Sequence, residues 1–417
     1  MGKNIVVLCD GTWNGANSGT NIYKLYKELI LEQQHVKYIN GVGIGEPPFN
    51  FFIDGAIAIN LDTKIKEGYK YIVEHYSPGD DIWFFGFSRG AYTVRCIVGM
   101  IRNCGILKVD QNVTTEQVDE RIDRAYHNYR NRDKIYHPEG TGSDEFKKNY
   151  SHPDSEKPVI KFLGLWDTVG AHGLPVYDID EGFKYLEFYD QVVPNVVNFA
   201  CQALAIHERT AFFKPCHIYP NSSGTVTVKE TWFSGIHSEI GGGTFLTFGG
   251  NERISKATML WMIEHIVQIG GLLMRYDLED YRTRFSPDYG PSWNLKNLIF
   301  DNGNAIFPTP MLRDRAIRLK LNSSEKFLRK DLLYRDGDWL RPFGTRSHLR
   351  THYGSNTYEV LRNSMEMEEI MLYNNIIYDK DVKEKSKNIF EWLIYNILLK
   401  IMTYFISLVL IVIMEKK

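Results

Sequence analysis

Four short apolar runs, each followed by glycine or by a residue type common in active sites, constrain the fold of this 417-residue chain most strongly. Segments with helical spacing lie between the runs. Because strands and helices alternate, we expect an α/β fold, a mainly parallel sheet covered by helices on both faces. The predicted strands are Ile5–Cys9, Ile82–Phe87, Val159–Trp166 and Thr225–Phe233, and the predicted helices are Tyr23–Leu31, Ala56–His75, Ala91–Arg102 and Arg253–Met274.

Two stretches interrupt this alternation. Residues 108–158 are more polar, and we expect an insertion over the sheet, with a charged helix at Thr114–Arg132 and a loop at Pro138–Pro158. Residues 276–356 are rich in Pro, Gly, Asn and Arg with few long apolar runs, and we expect a lid there. The sequence therefore predicts one α/β domain over residues 1–380, with these two additions.

The C-terminal segment, residues 381–417, differs from everything before it. The run Ile401–Met414 contains no charged residue, and residues 392–414 form a 23-residue stretch interrupted by Lys400 alone. A helix of that length can span a bilayer, and a lysine near one end can reach the interface. We expect a C-terminal apolar helix that anchors a cytoplasmic body to a membrane. A terminal helix docked on the body of a soluble cytoplasmic protein is the alternative.

The composition excludes several other classes of protein. The formal charge of −2, from 49 basic and 51 acidic side chains, gives no pull toward nucleic acid, and no nucleic-acid-binding motif is present. The five cysteines show no CxxC spacing, so neither a zinc ribbon nor a disulfide framework is indicated. A reducing compartment is the simpler inference.

The strongest local motif is Gly86-Phe87-Ser88-Arg89-Gly90, between a predicted strand and a predicted helix. A G-x-S-x-G pattern in that context is typical of a sharp turn that exposes a nucleophilic serine. Gly86 and Gly90 are needed because side chains there would collide with the neighbouring strand and helix. Ser88 is therefore the predicted nucleophile.

A serine nucleophile needs a base, and the base needs an orienting acid. In α/β-hydrolases these follow in the order Ser, acid, His. Asp167 and His237 follow Ser88 in that order, each after a predicted strand, at the sheet edge where α/β proteins place their sites. An Asx turn or helix cap is the alternative role for Asp167. The competing bases are His172, which lies too near Asp167 in the chain, His207, and His265, which lies within a helix.

An oxyanion hole requires two backbone N–H donors. We expect one from Arg89, the residue after the nucleophile, and the other from Gly11 or Thr12, after the first strand. Asp10 is expected to shape that loop through bonds to its own backbone. This chemistry requires no metal and no cofactor.

Two other enzyme classes are excluded because the sequence lacks a residue or motif that each requires. Phosphatases of the haloacid-dehalogenase type resemble D-x-D-G-T, but Leu8 occupies the position of their nucleophile, ahead of Asp10. A hydrolytic zinc site would need a P-C-x-x-C motif after His237-x-Glu239, and none follows.

Seven segments together resemble the bacterial and fungal α/β-hydrolase family known as domain of unknown function 2235, which includes phospholipase effectors of type VI secretion. They span roughly the first two-thirds of the chain: Leu8–Asn14, Thr20–Ile22, Gly41–Gly43, Phe85–Tyr92, Phe162–Ala171, Ala203–Arg209 and Trp232–Gly243. The resemblance implies Ser88, Asp167 and His237 as a catalytic triad and lipid esters, especially glycerophospholipids, as substrates. A catalytically inactive, membrane-tethered scaffold on the same fold is the alternative, and a thioesterase or peptidase could use the same triad.

Overall fold

The computed structural model describes the greater part of the first 285 residues and one later hairpin. The described residues are 2–41, 54–153, 159–170, 192–205, 208, 213, 215–221, 224–233, 237–243, 252–285, 317–321 and 324–328, apart from residues 13, 17, 111 and 132.

Six parallel strands form a single sheet in the order β2-β1-β3-β4-β5-β6. The predicted α/β class with a mainly parallel sheet is thus confirmed. The sequence missed β2 and β5 and located the other four strands within two residues. The strands are β1 Asn4–Cys9, β2 His35–Ile39, β3 Asp81–Phe87, β4 Ile160–Trp166, β5 Val197–Ala205 and β6 Thr227–Phe233.

Helices cover both faces of the sheet, and each face has its own apolar core. Three or more helices on each side contribute buried side chains to these cores. The first face carries α2 Asp54–His75, α3 Arg89–Cys104, α4 Thr115–Arg130 and α5 Thr141–Tyr150, and the second carries α1 Asn21–Glu28, α7 Glu252–Ile269 and α8 Leu278–Arg284. The short helix α6, His237–Gly241, lies just after β6.

Strand β1 shows why the apolar runs are continuous rather than alternating. Ile5 and Val7 belong to the first core, whereas Val6 and Leu8 belong to the second, and all four are fully buried. Alternate residues of a strand point to opposite faces, so a strand buried on both sides needs apolar residues at every position.

The insertion contains more helix than expected. Helix α4 begins with a capping box between Thr114 and Gln117, in agreement with the predicted charged helix. The loop predicted at Pro138–Pro158 is wrong, because α5 occupies its middle. Helix α5 is held against α3 by the buried Phe146 and by Ser143 Oγ, which donates to Asn103 Oδ1 at 2.6 Å.

The predicted lid and the predicted C-terminal membrane helix fall mostly or wholly outside the described residues. Within 276–356 the structure describes α8 and an antiparallel hairpin, β7 Ile317–Leu321 and β8 Ser324–Leu328. Residues 381–417 are not among the described residues. Of the helices that are described, none combines the length and apolar character needed to cross a bilayer.

Candidate active site

Ser88 lies in a strained turn between the central strand β3 and helix α3. Its backbone has φ 57° and ψ −124°, a conformation that residues with side chains rarely adopt and that is frequent at functional sites. The two glycines permit the turn: a Cβ at Gly86 would lie 2.4 Å from the Ala91 Cα, and one at Gly90 would lie 2.2 Å from the Cys9 carbonyl oxygen. The motif therefore forms the expected sharp strand-to-helix turn.

Asp167 follows β4 directly, and its side chain is fully buried. It also has a positive φ, of 42°, and its backbone N–H donates to the Ala203 carbonyl at 2.8 Å. Its Oδ1 accepts the backbone N–H of Ala205 at 2.8 Å. These bonds to β5 fix one carboxylate oxygen and leave Oδ2 directed at the first residue of α6.

His237 joins the other two side chains in one hydrogen-bonded series. Its Nδ1 lies 2.6 Å from Asp167 Oδ2, and its Nε2 lies 2.8 Å from Ser88 Oγ. A carboxylate can only accept, so Nδ1 carries the proton and Nε2 accepts from the serine hydroxyl. His237 is the first residue of helix α6, a few residues after β6. The structure thus brings the three predicted side chains together at the carboxyl edge of the sheet.

Two aromatic rings enclose the imidazole. The centroid of the Phe87 ring lies 4.8 Å from that of His237 at an interplanar angle of 30°, and the Phe213 ring lies at 4.6 Å and 24°. Only 7% of His237 remains exposed. The rings hold the plane of the imidazole and limit the access of water to it.

Glu208 supports His237 from the backbone side and was not predicted as a site residue. Its Oε2 accepts the backbone N–H of His237 at 3.0 Å, and it is buried. A single carboxylate after a strand forms no recognisable motif. The only signal in the sequence was that Glu208 lies within Ala203–Arg209, one of the seven segments that carry the family resemblance.

Asp10 organises the loop after β1. Its Oδ1 accepts the Gly11 N–H at 2.7 Å, and its Oδ2 accepts the hydroxyls of Thr20 at 2.6 Å and Tyr38 at 2.5 Å. Burial raises the pKa of Asp10 to about 6, although all three bonds favour the charged form. The Gly11 N–H is therefore committed to Asp10, and the loop lies beside the Ser88 turn through the close approach of Gly90.

A buried polar network lies behind the acid. The Thr168 hydroxyl donates to Gln202 Oε1, and Gln202 Nε2 donates to Glu230 Oε2 at 2.9 Å. Glu230 in turn binds His217 Nδ1 at 2.7 Å. The network joins β5 and β6 to the residue that follows Asp167.

Of the three alternative candidates for the catalytic base, only His265 lies within the described residues, and it is buried in a helix. His265 lies in α7, is 2% exposed, and its Nδ1 is 3.4 Å from Gln268 Oε1. His172 and His207 are outside the described residues. Among the described side chains, no group of three or more His, Cys, Asp or Glu is arranged to hold a metal ion.

A protein-family model described as "T6SS, Phospholipase effector Tle1-like, catalytic domain" matches residues 3–265, a range that includes Ser88, Asp167 and His237. The chain belongs to this family. The expected relationship to type VI secretion phospholipase effectors is therefore confirmed, whereas the label domain of unknown function 2235 and the α/β-hydrolase assignment stay predictions.

Two further comparisons give more distant similarity. An uncharacterized protein of Saccharomyces cerevisiae, YEL023C, is 31% identical over 199 residues, which cover 42% of this chain and 27% of the yeast protein. The match thus spans about a quarter of that relative's length. The crystal structure of an uncharacterized protein from Pseudomonas aeruginosa aligns with a TM-score of 0.40 at 15% identity, over 72% of this chain and 50% of that one.

Proposed function

We propose that this protein is a serine hydrolase of the α/β-hydrolase type that cleaves carboxylic esters of lipids. The observation that carries the proposal is the series from Ser88 Oγ through both ring nitrogens of His237 to the carboxylate of Asp167. Hydroxyl, imidazole and carboxylate in that order are the requirements of nucleophilic acyl transfer.

In the proposed reaction His237 Nε2 takes the proton of Ser88 as its oxygen attacks the ester carbonyl. Asp167 keeps the proton on Nδ1 and stabilises the imidazolium that forms, without itself becoming protonated. The imidazolium then protonates the leaving alcohol, and an acyl-enzyme remains. Water, deprotonated by the same imidazole, releases the acid and restores Ser88.

The negative oxygen of the tetrahedral intermediate needs two donors. The Arg89 N–H lies in the first turn of α3, where backbone N–H groups point toward the helix N-terminus and the helix dipole favours negative charge. Since the Gly11 N–H already donates to Asp10, we assign the second donor to the N–H of Thr12. Asp10 would then act by holding this loop in place.

Membership of a family named for phospholipase effectors favours a glycerophospholipid over other esters. A fold alone does not define a substrate, so a thioesterase or peptidase reaction is a different outcome of the same assay. An inactive scaffold is disfavoured because nothing would require Ser88 to stay in a strained conformation beside an imidazole. Attachment to a membrane through residues 381–417 stays a prediction.

The test is the activity of purified Ser88→Ala protein on a panel of phospholipids, lysophospholipids, thioesters and short acyl esters. We expect loss by roughly three orders of magnitude or more on the preferred substrate, and loss of labelling by a fluorophosphonate. Ser77→Ala is the matched control, since Ser77 is exposed at the opposite end of β3. Full activity in Ser88→Ala, or no labelling of the unmodified protein, would refute the proposal.

A further inference from the structure

A cavity of about 860 Å³ lies on the first face of the sheet, away from the candidate active site. Its wall is made by one side of α3, by the turn Lys134–Tyr136, and by the segment that leads into β5. None of Ser88, Asp167 and His237 is among its lining residues. Small-molecule sites in proteins commonly enclose roughly 300–1,000 Å³, so the cavity has the size of a ligand site.

The deep part of the cavity is apolar. Val98 of α3, Leu163 of β4, Val193 and Ile218 all line it, and each is at most 3% exposed. These side chains back the wall and leave almost no surface of their own, so the apolar surface that an occupant can touch belongs to half-buried lining residues such as Val192, Pro194 and Pro138.

Positive charge is concentrated on the walls and at the opening. Arg95 and Arg102 lie seven residues apart on one side of α3, and Lys134 is exposed at the mouth. Of the described lining residues only Glu139 is acidic. Its carboxylate is 3.0 Å from Arg102 but 87% exposed, so this ion pair is weak and easily exchanged.

The amide side chains in the lining also suit an anion. Asn103 Oδ1 accepts from Ser143 Oγ at 2.6 Å, and Asn131 Oδ1 accepts the Asp133 N–H at 2.9 Å. With each oxygen directed at a protein donor, the nitrogen end of each amide can only donate. Beside Arg102 and Lys134, these two amides therefore add donors to the lining.

We propose that this cavity is a second binding site, for an amphiphilic anion. The apolar chain of the ligand lies against Val192, Pro194 and Pro138, and its carboxylate or phosphate head binds Arg102 and Lys134. Arg95 is a fixed part of the wall, because its guanidinium donates to the carbonyl oxygens of Cys216 at 2.7 Å and His217 at 2.9 Å. The proposal does not depend on ester cleavage at Ser88.

The test is calorimetric titration of the full chain carrying Ser88→Ala, so that no ester turnover contributes. The probes are dodecanoate, dodecyl phosphate and, as an uncharged amphiphile, dodecyl maltoside, each below its micellar concentration. We expect the anions to bind and the maltoside not to bind. The tighter of the two anions then identifies a fatty acid or a phosphate-bearing lipid as the source of the ligand.

Charge reversal shows whether the binding is in the cavity. Lys134→Glu and Arg102→Glu, each added to Ser88→Ala, should each weaken anion binding several-fold, because each reversal replaces an attraction for the anionic head with a repulsion. Lys148→Glu is the matched control, an exposed lysine on α5 outside the cavity, and should change nothing. Circular dichroism verifies that the variants fold. If Arg102→Glu does not fold, Lys134→Glu still tests the proposal, because Lys134 is exposed.

Three results would overturn the proposal: neither anion binds, the maltoside binds as tightly as the anions, or affinity is unchanged in both reversals. These outcomes are separate from the failure of the proposed hydrolase function, since they are measured in a protein that lacks the nucleophile.

Discussion

Replacement of Asp167 by Asn tests the buried carboxylate with almost no change in volume. An amide oxygen can still accept the Ala205 N–H that now binds Oδ1. The amide nitrogen then takes the place of Oδ2, 2.6 Å from His237 Nδ1, and donates to it. The ring proton moves to Nε2, which becomes a donor toward Ser88 and can no longer accept its proton.

The expected loss follows from the failure of the base rather than from damage to the fold. A wrong tautomer in a serine triad lowers kcat by about 10⁴. At about 1.36 kcal/mol for each factor of ten, this loss corresponds to about 5 kcal/mol of transition-state stabilisation. The KM should change little, because the carboxylate is fully buried and does not contact the substrate.

The assay is steady-state hydrolysis of a chromogenic acyl ester by Asp167→Asn, with the thermal unfolding temperature measured in parallel. Asp81→Asn is the control. Asp81 is the first residue of β3, at the opposite end of that strand from Ser88, and its carboxylate pairs with Lys161 at 2.7 Å. We expect kcat to change less than twofold in this control. A folded Asp167→Asn protein that kept more than a tenth of the original kcat would refute the assigned role of the carboxylate.

Three further predictions concern residues around the site. Glu208→Ala should lower kcat about 10- to 100-fold, because it removes a charged acceptor worth about 1.5–3 kcal/mol, whereas Glu208→Gln keeps an acceptor oxygen and should stay within a few-fold. Gly90→Ala should lower the free energy of unfolding by about 3 kcal/mol, because its Cβ would lie 2.2 Å from a backbone carbonyl oxygen, and chemical denaturation measures this. Burial raises the pKa of Asp10 from its ordinary 3.8 to about 6, so between these values the folded protein holds a proton that the unfolded chain has released. The stability of the unmodified protein relative to Asp10→Asn should therefore fall by up to about 3 kcal/mol as the pH rises from about 3 to about 7, as measured by urea titration.

Each of these predictions has an outcome that would contradict it. An unchanged kcat in Glu208→Ala would mean that the loop is held by other contacts. Gly170→Ala should be tolerated, since its Cβ would meet the nearest side chain at an ordinary 3.5 Å, and equal stability of the two glycine variants would contradict the packing argument. Parallel pH profiles of the unmodified protein and Asp10→Asn would show that the Asp10 carboxyl ionises normally.

The three central side chains were predictable because each follows an apolar strand and one lies in a specific motif. Their supporting contacts were not. Phe213 and Glu208 reach His237 only through the path of the chain after β5, and no short pattern encodes a ring stacked at 4.6 Å or a carboxylate under a backbone N–H. Such contacts are tertiary, and a sequence read locally does not contain them.

The strands that the sequence missed have physical reasons. Strand β2 is at the edge of the sheet, is mostly half-buried, and alternates polar and apolar residues in only five positions. Strand β5 is almost wholly buried but contains Asn198 and several alanines, residue types that are depleted in strands. In both cases the neighbouring strands, rather than local preference, define the element.

The parallel sheet also sets the order in which this protein can become active. The bond between His237 and Ser88 joins positions 149 residues apart, and the bond to Asp167 spans 70. Contacts so distant in the chain form slowly, since long loops must close before β4, β5 and β6 are added to β3. A nascent chain whose residue 237 is still in the ribosomal exit tunnel therefore lacks the base, and the proposed ester cleavage would begin only after synthesis has passed β6. Recovery of ester cleavage during refolding should accordingly coincide with the slowest phase seen by any structural probe.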